Sequence, residues 1–195
     1  TLIIETTYGK KEYQLPPKDQ VIEDMRAWAT GMNEEGPVVF GAYTFGKAQE
    51  TVSLLNDMGK IPYVSKGIAE LNEIYNKYDL GLEYKEIEDN TKPEDKFTAV
   101  VPPNSLKKPV DGIVEEAKQK GGSAAYLSGW CAFYPYFRSM DIEAQFPLSD
   151  HAGFDELFDF VEQCDPDQVY TVHGSDQEFA EIVEEELDIP AEPLK

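Results

Sequence analysis

Short apolar runs along the chain alternate with stretches in which apolar residues recur every three or four positions. Thr1-Leu2-Ile3-Ile4-Glu5-Thr6-Thr7 reads as a buried strand already under way, the opening of a fragment. Pro16-Pro17 suits the first turn of a helix with Val21, Met25 and Trp28 on one face and an end near Gly31. Pro37 to Tyr43 is the next strand, followed by a helix with Ala48, Val52 and Leu55 inside. Ile61 to Val64 is strand-like, and the helix after it buries Ile68, Leu71, Ile74 and Tyr78. Glu83 to Lys96 is charged and turn-rich, an exposed loop. Phe97 to Val101 and Ser123 to Leu127 are strands, with a mostly helical Leu106 to Lys120 between them. A helix carrying Phe154, Leu157, Phe158 and Val161 precedes the strand Gln168 to Val172. Ser175-Asp176-Gln177-Glu178 is a capping box that starts a last helix burying Phe179, Ile182 and Val183. Strands alternating with helices imply an α/β fold with a largely parallel sheet.

Composition narrows the setting. The chain has 195 residues, of which 41% are hydrophobic and 12% aromatic, enough for a sizeable core. No apolar run reaches the length of a membrane span and no signal segment is visible, so the expectation is a cytoplasmic protein with no membrane partner. Cys131 and Cys164 make neither a disulfide framework nor a zinc ribbon and are expected as small buried hydrophobes. The net charge is −21, which suits solubility in a salt-rich cytoplasm or binding of basic partners; the solubility reading is preferred. Read naively, it argues against nucleic acid, although a site held by metal ions escapes that objection.

Candidate chemistry concentrates at the ends of strands. His151 lies in Phe146-Pro147-Leu148-Ser149-Asp150-His151-Ala152, between a strand and a helix, and His173 directly follows Val169-Tyr170-Thr171-Val172. They are the only two histidines, placed where α/β folds put ligands, and each could ligate metal, move protons or merely cap a loop. The Gly46-Lys47 turn leads a strand into a helix and suits an anion such as phosphate, though many such turns bind nothing. Leu127-Ser128-Gly129-Trp130 is another polar turn after a strand.

Taken in order, the blocks LIIETTYG, AYTFGKAQE, YVSKGIAELNEIY, VVPPNSL, LSGW, FPLSDHA and VYTVHGS resemble the β-CASP group of metallo-β-lactamase-fold nucleases, near the ligase-associated exonucleases and the archaeal relatives of RNA 3′-end processing factors. The resemblance runs from Leu2 to about Leu187. It implies the C-terminal part of a metallo-β-lactamase αββα fold plus a small β-CASP-like α/β cap with a parallel sheet. The implied divisions are 1–16 for a strand and loop of the lactamase domain, 17–101 for the cap and 102–195 for the C-terminal lactamase part. His173 matches the histidine that ligates one of two zinc ions, with manganese as a substitute metal. His151 matches the histidine that contacts the scissile phosphate and protonates the leaving oxygen. Asp19 falls where the family carries an acidic residue that orients this histidine, with Glu23 as its substitute. Ser149, Lys47 and Ser128 fall in motifs lining the phosphate path. The family's His-x-His-x-Asp-His cluster is absent, and its bridging aspartate is expected just ahead of Leu2. The chain alone is therefore expected to bind zinc poorly and to cleave nothing efficiently.

The activity implied for the parent protein is metal-dependent hydrolysis of phosphodiester bonds in RNA or DNA, in exonuclease mode. A sheet edge left without its missing half would favour a homodimer or association with that N-terminal half. Two rivals stand beside this reading. One is a metallo-hydrolase of thioesters or lactones, because fold does not dictate function; the other is a non-catalytic interaction or nucleic-acid-binding subunit.

Overall fold

A computed structural model describes residues 1–107, 112–135 and 142–195. The opening apolar run forms strand β1 (Leu2–Glu5), and the stretch after Pro16-Pro17 forms helix α1 (Lys18–Glu35). Strand β2 (Val38–Gly41) leads through the Gly46 turn into α2 (Lys47–Asp57), then β3 (Tyr63–Val64) and α3 (Lys66–Asn76). A two-residue β4 (Lys85–Glu86) interrupts the charged loop before β5 (Thr98–Val101). Helices α4 (Pro103–Lys107) and α5 (Ile113–Gln119) then precede β6 (Ser123–Leu127) and β7 (Ala144–Phe146). The chain closes with α6 (Phe154–Cys164), β8 (Val169–Val172), α7 (Asp176–Leu187) and β9 (Ala191–Pro193).

The chain divides into two compact units: Thr1–Pro16 with His151–Lys195, and Pro17–Asp150. The larger unit is built on a six-stranded sheet ordered β4-β3-β5-β2-β6-β7, parallel at every pairing. All-apolar strands such as Val38-Val39-Phe40 fit this position, because a parallel sheet is covered on both faces. One face packs Val38, Phe40, Val100, Ala125 and Leu127 under α1 and α2, and the other packs Val39, Ala99, Val101 and Tyr126 under α5. Strands on both sides of Val101 share this sheet, so the division expected there falls inside the unit: β2 pairs with β5 on one side and with β6 on the other.

The smaller unit has a three-stranded parallel sheet, β1-β8-β9, in which Leu2 pairs with Val169 and Glu5 with Val172. Its core gathers Ile4, Phe154, Leu157, Val161, Val169, Phe179 and Val183. The segments that enter and leave this unit adjoin one another: the Phe154 amide donates to Tyr13 O at 3.0 Å. Among the described residues, no helix is long and apolar enough to cross a membrane.

Several local expectations change. Helix α1 continues past Gly31 to Glu35, because nothing crowds Gly31 and Asn33 is held by hydrogen bonds to Gly36 O and from Lys60 Nζ. Ile74 and Tyr78 are exposed; the buried face of α3 is Ile68, Ala69 and Asn72, rotated so that Asn72 meets Gln49. Ser175 stands at the N-cap of α7 without a side-chain capping bond, so the expected box does not form; its amide donates instead to Thr6 O. Ala180 takes the fully buried place expected of Ile182, which is partly buried. Cys131 is buried as expected, but Cys164 is exposed at the last residue of α6. Of the helix expected over 106–120, residues 108–111 lie outside the described residues.

Candidate functional site

In the smaller unit, the parallel register brings the residues after β1 alongside those after β8. Thr6 N donates to Val172 O at 2.9 Å, and the Thr6 hydroxyl bonds the carbonyls of Val172 and His173. His173 leaves the strand with φ +63°, a left-handed conformation that non-glycine residues adopt only where surroundings enforce it. The enforcement comes from Gly174, which follows at φ +60°: a Cβ there would lie 2.5 Å from Thr6 O. The His173 side chain is thereby set at the solvent-exposed mouth of the sheet.

His151 begins the turn into α6 and is about half exposed, with a side-chain accessibility of 53%. Its Nδ1 lies 3.3 Å from the Thr7 hydroxyl and 3.4 Å from Glu5 Oε2. The Thr7 amide donates to the same Glu5 oxygen at 2.9 Å, fixing the carboxylate. The ring of Tyr8, which is 2% exposed, meets the imidazole edge-on at 6.2 Å. A carboxylate behind an imidazole orients the ring and selects its tautomer, an arrangement that proton transfer can use. Sequence reasoning missed Glu5, taking it as one more residue of a buried strand. Only the long-range pairing of β1 with β8, together with the Thr-Thr-Tyr-Gly turn, reveals it.

The remaining candidates lie in the larger unit. Asp19 is exposed in the first turn of α1, where an acidic side chain complements the helix dipole, and Glu23 is exposed one turn further on. Lys47 is buried, with its ammonium 2.9 Å from Asp150 Oδ1 and 3.7 Å from Glu50 Oε2. It anchors the Ser149-Asp150 turn rather than offering an open cation, and Ser149 is itself half-buried. Ser128 is buried; its amide donates to Phe146 O and its carbonyl accepts from Cys131. Beside it the Tyr126 hydroxyl donates to Tyr43 at 3.3 Å, and burial first, then Tyr43, raises its pKa.

The zinc that the resemblance implies can be tested against the donor set. Among the described residues, no group of three or more His, Cys, Asp or Glu side chains stands close enough to hold a metal. His173 is a single ligand, and a tetrahedral zinc needs at least three from protein. The described residues by themselves do not fit the ion.

Residues 139–192 match the family described as "RMMBL: Zn-dependent metallo-hydrolase RNA specificity domain". The chain is also 31% identical over 191 residues to a "Probable DNA ligase" of Opitutus terrae, an alignment covering 94% of this chain and 18% of that protein. The chain thus spans less than a fifth of the length of that relative. With its parallel α/β units, these matches support a resemblance to the C-terminal portion of β-CASP-type metallo-β-lactamase-fold proteins, carried most directly by residues 139–192.

Proposed function

We propose that this chain is part of a zinc-dependent nuclease that hydrolyses phosphodiester bonds of RNA or DNA from an end, and that His151 delivers the proton to the departing oxygen. The observation that carries the reading is the contact of His151 Nδ1 with Glu5 and Thr7 at 3.4 and 3.3 Å. In that role a water oxygen bonds to phosphorus as the ester P–O bond breaks, His151 gives one proton to the departing oxygen, and Glu5 and Thr7 orient its ring. In this reading Asp19 is the acidic residue that helps to orient His151, and Lys47, Ser128 and Ser149 serve the phosphate path, Lys47 by holding Asp150 in place. The matched family speaks for RNA, and the Opitutus protein's name draws the reading toward DNA ends prepared for joining.

End-labelled RNA and DNA strands incubated with the full-length polypeptide, in zinc and in manganese, test it. Stepwise shortening is the expected pattern, and His151→Ala should slow it roughly 100- to 10,000-fold. Hydrolysis of a thioester or lactone with both nucleic acids left intact would sink it. A second reading, a non-catalytic nucleic-acid-binding piece, is favoured for this chain by itself, because no group of three or more His, Cys, Asp or Glu side chains that could hold a metal stands together among the described residues. Elemental mass spectrometry of the 195-residue protein should then find almost no zinc. Two ions per chain would reverse that second reading.

A further inference from the structure

In the larger unit a cleft of about 310 Å³ opens beside the first turn of α2, lined by Glu50, Ser53, Leu54, Tyr75, Leu80 and Asp150 among others. Phe45, just before Gly46, is 70% exposed and meets the Tyr75 ring edge-on at 6.4 Å. Leu80 is also exposed, so aromatic and aliphatic surface stands outside the core with nothing packed over it. The amide of Gln49 is committed, accepting from Gly46 N and donating to Thr44 O and Asn72 Oδ1. The carboxylates carry ammonium partners: Lys18 lies 2.7 Å from Glu50, and Lys47 2.9 Å from Asp150. Two cations against two anions leave no net charge to draw in a phosphate or a guanidinium. What remains is acceptor oxygen beside the Tyr75 ring and the Leu80 side chain, which suits a neutral planar ring bearing N–H donors.

We propose that this cleft takes an amino-bearing nucleobase (guanine, adenine or cytosine) of a single strand, a proposal that rests on the nucleic-acid reading above. The base stacks against Tyr75 with Phe45 at its edge, and donates its amino hydrogens to Asp150 or Glu50. Uracil and thymine present one ring N–H flanked by two carbonyls, so their oxygens face the carboxylates and they bind less well.

The test is nuclear magnetic resonance of the 195-residue protein titrated with guanosine, adenosine, cytidine and uridine. Signals of Phe45, Tyr75 and Leu80 should move with the first three at least fivefold more readily than with uridine, and inorganic phosphate should not compete. Phe45→Ala, at an exposed position, should weaken binding roughly tenfold, and Ser53→Arg, on the exposed side of α2, should abolish it. Equal response to uridine, or movement only with an arginine-rich peptide, overturns the proposal. Labelled single strands given to the full-length polypeptide separate the two layers. Strands bound or cut with no loss in Phe45→Ala would sink the cleft and leave the nuclease reading standing. Nucleosides seated in the cleft with no strand bound or cut would sink the nuclease reading and keep the cleft.

Discussion

The two compact units differ most in charge. The smaller unit carries sixteen acidic residues against three basic ones, and the larger carries twenty-two against fourteen. From residue 139 through 194 there is no lysine or arginine at all. Lys10 and Lys11 of the smaller unit pair with Glu178 and Glu186. Yet this unit holds both histidines. A phosphate approaching His151 meets no cation from the segment that matches the RNA specificity family, so backbone attraction must come from elsewhere. The acidic balance is therefore concentrated where phosphodiester chemistry is proposed, and the units are built differently: the larger has apolar layers on both faces of a six-stranded sheet, and the smaller has one apolar cluster beside a three-stranded sheet closed by tight turns.

That contrast can be broken at four points. Phe40 is fully buried in β2 with its ring 5.8 Å from Trp28, and both tryptophans lie in the larger unit. Phe40→Ala should cost about 3–5 kcal/mol, read by tryptophan fluorescence in urea; a loss under 1 kcal/mol would mean that the sheet core is not what stabilises this unit. Gly174→Ala forces a side chain into a left-handed conformation against Thr6 O, and should cost about 1–3 kcal/mol by circular dichroism. An unchanged midpoint would show that the turn between Thr6 and His173 is looser than described. The thiols give a smaller effect: burial pushes Cys131 up to about 12, and Cys164 is exposed. One thiol per chain should react with a colorimetric reagent in the native protein and two after unfolding; two fast thiols would open the larger unit's core to question.

The smallest effect concerns Glu94, whose carboxyl the Lys85 hydrogen bond holds down at about 2. A lowered folded value means that this contribution is present above the ordinary 4.5 and is lost as pH falls through about 2. Both partners are largely solvated, so it should be under about 1 kcal/mol. Lys85→Ala should return the Glu94 titration, followed by carboxyl nuclear magnetic resonance, to the ordinary carboxylate range; no change would mean that the pair does not form in solution.

Periodicity carried most of the secondary structure, because apolar runs such as Val38-Val39-Phe40 and faces such as Val21, Met25 and Ala29 are local signals. The short β9, Ala191-Glu192-Pro193, left no such signal, since three residues containing a proline become a strand only by pairing with β8. Polar burial was equally silent: Asn72 is inside because Gln49 is there to meet it. The site failed to appear for a related reason. His151 and His173 stood out as the only two of their kind, but Glu5 stands beside the His151 imidazole from 146 residues upstream, and sequence cannot state that adjacency without the fold.

The hydrogen bond from Phe154 to Tyr13 carries a consequence for the cost of closing the smaller unit. The chain departs from the smaller unit and re-enters it through adjoining segments, so the 134 residues between are, for that unit, one long excursion from a single doorway. Closing an excursion costs entropy only as the logarithm of its length. Lengthening or trimming the segment between Pro17 and Asp150 therefore changes the closure entropy of the smaller unit only slightly.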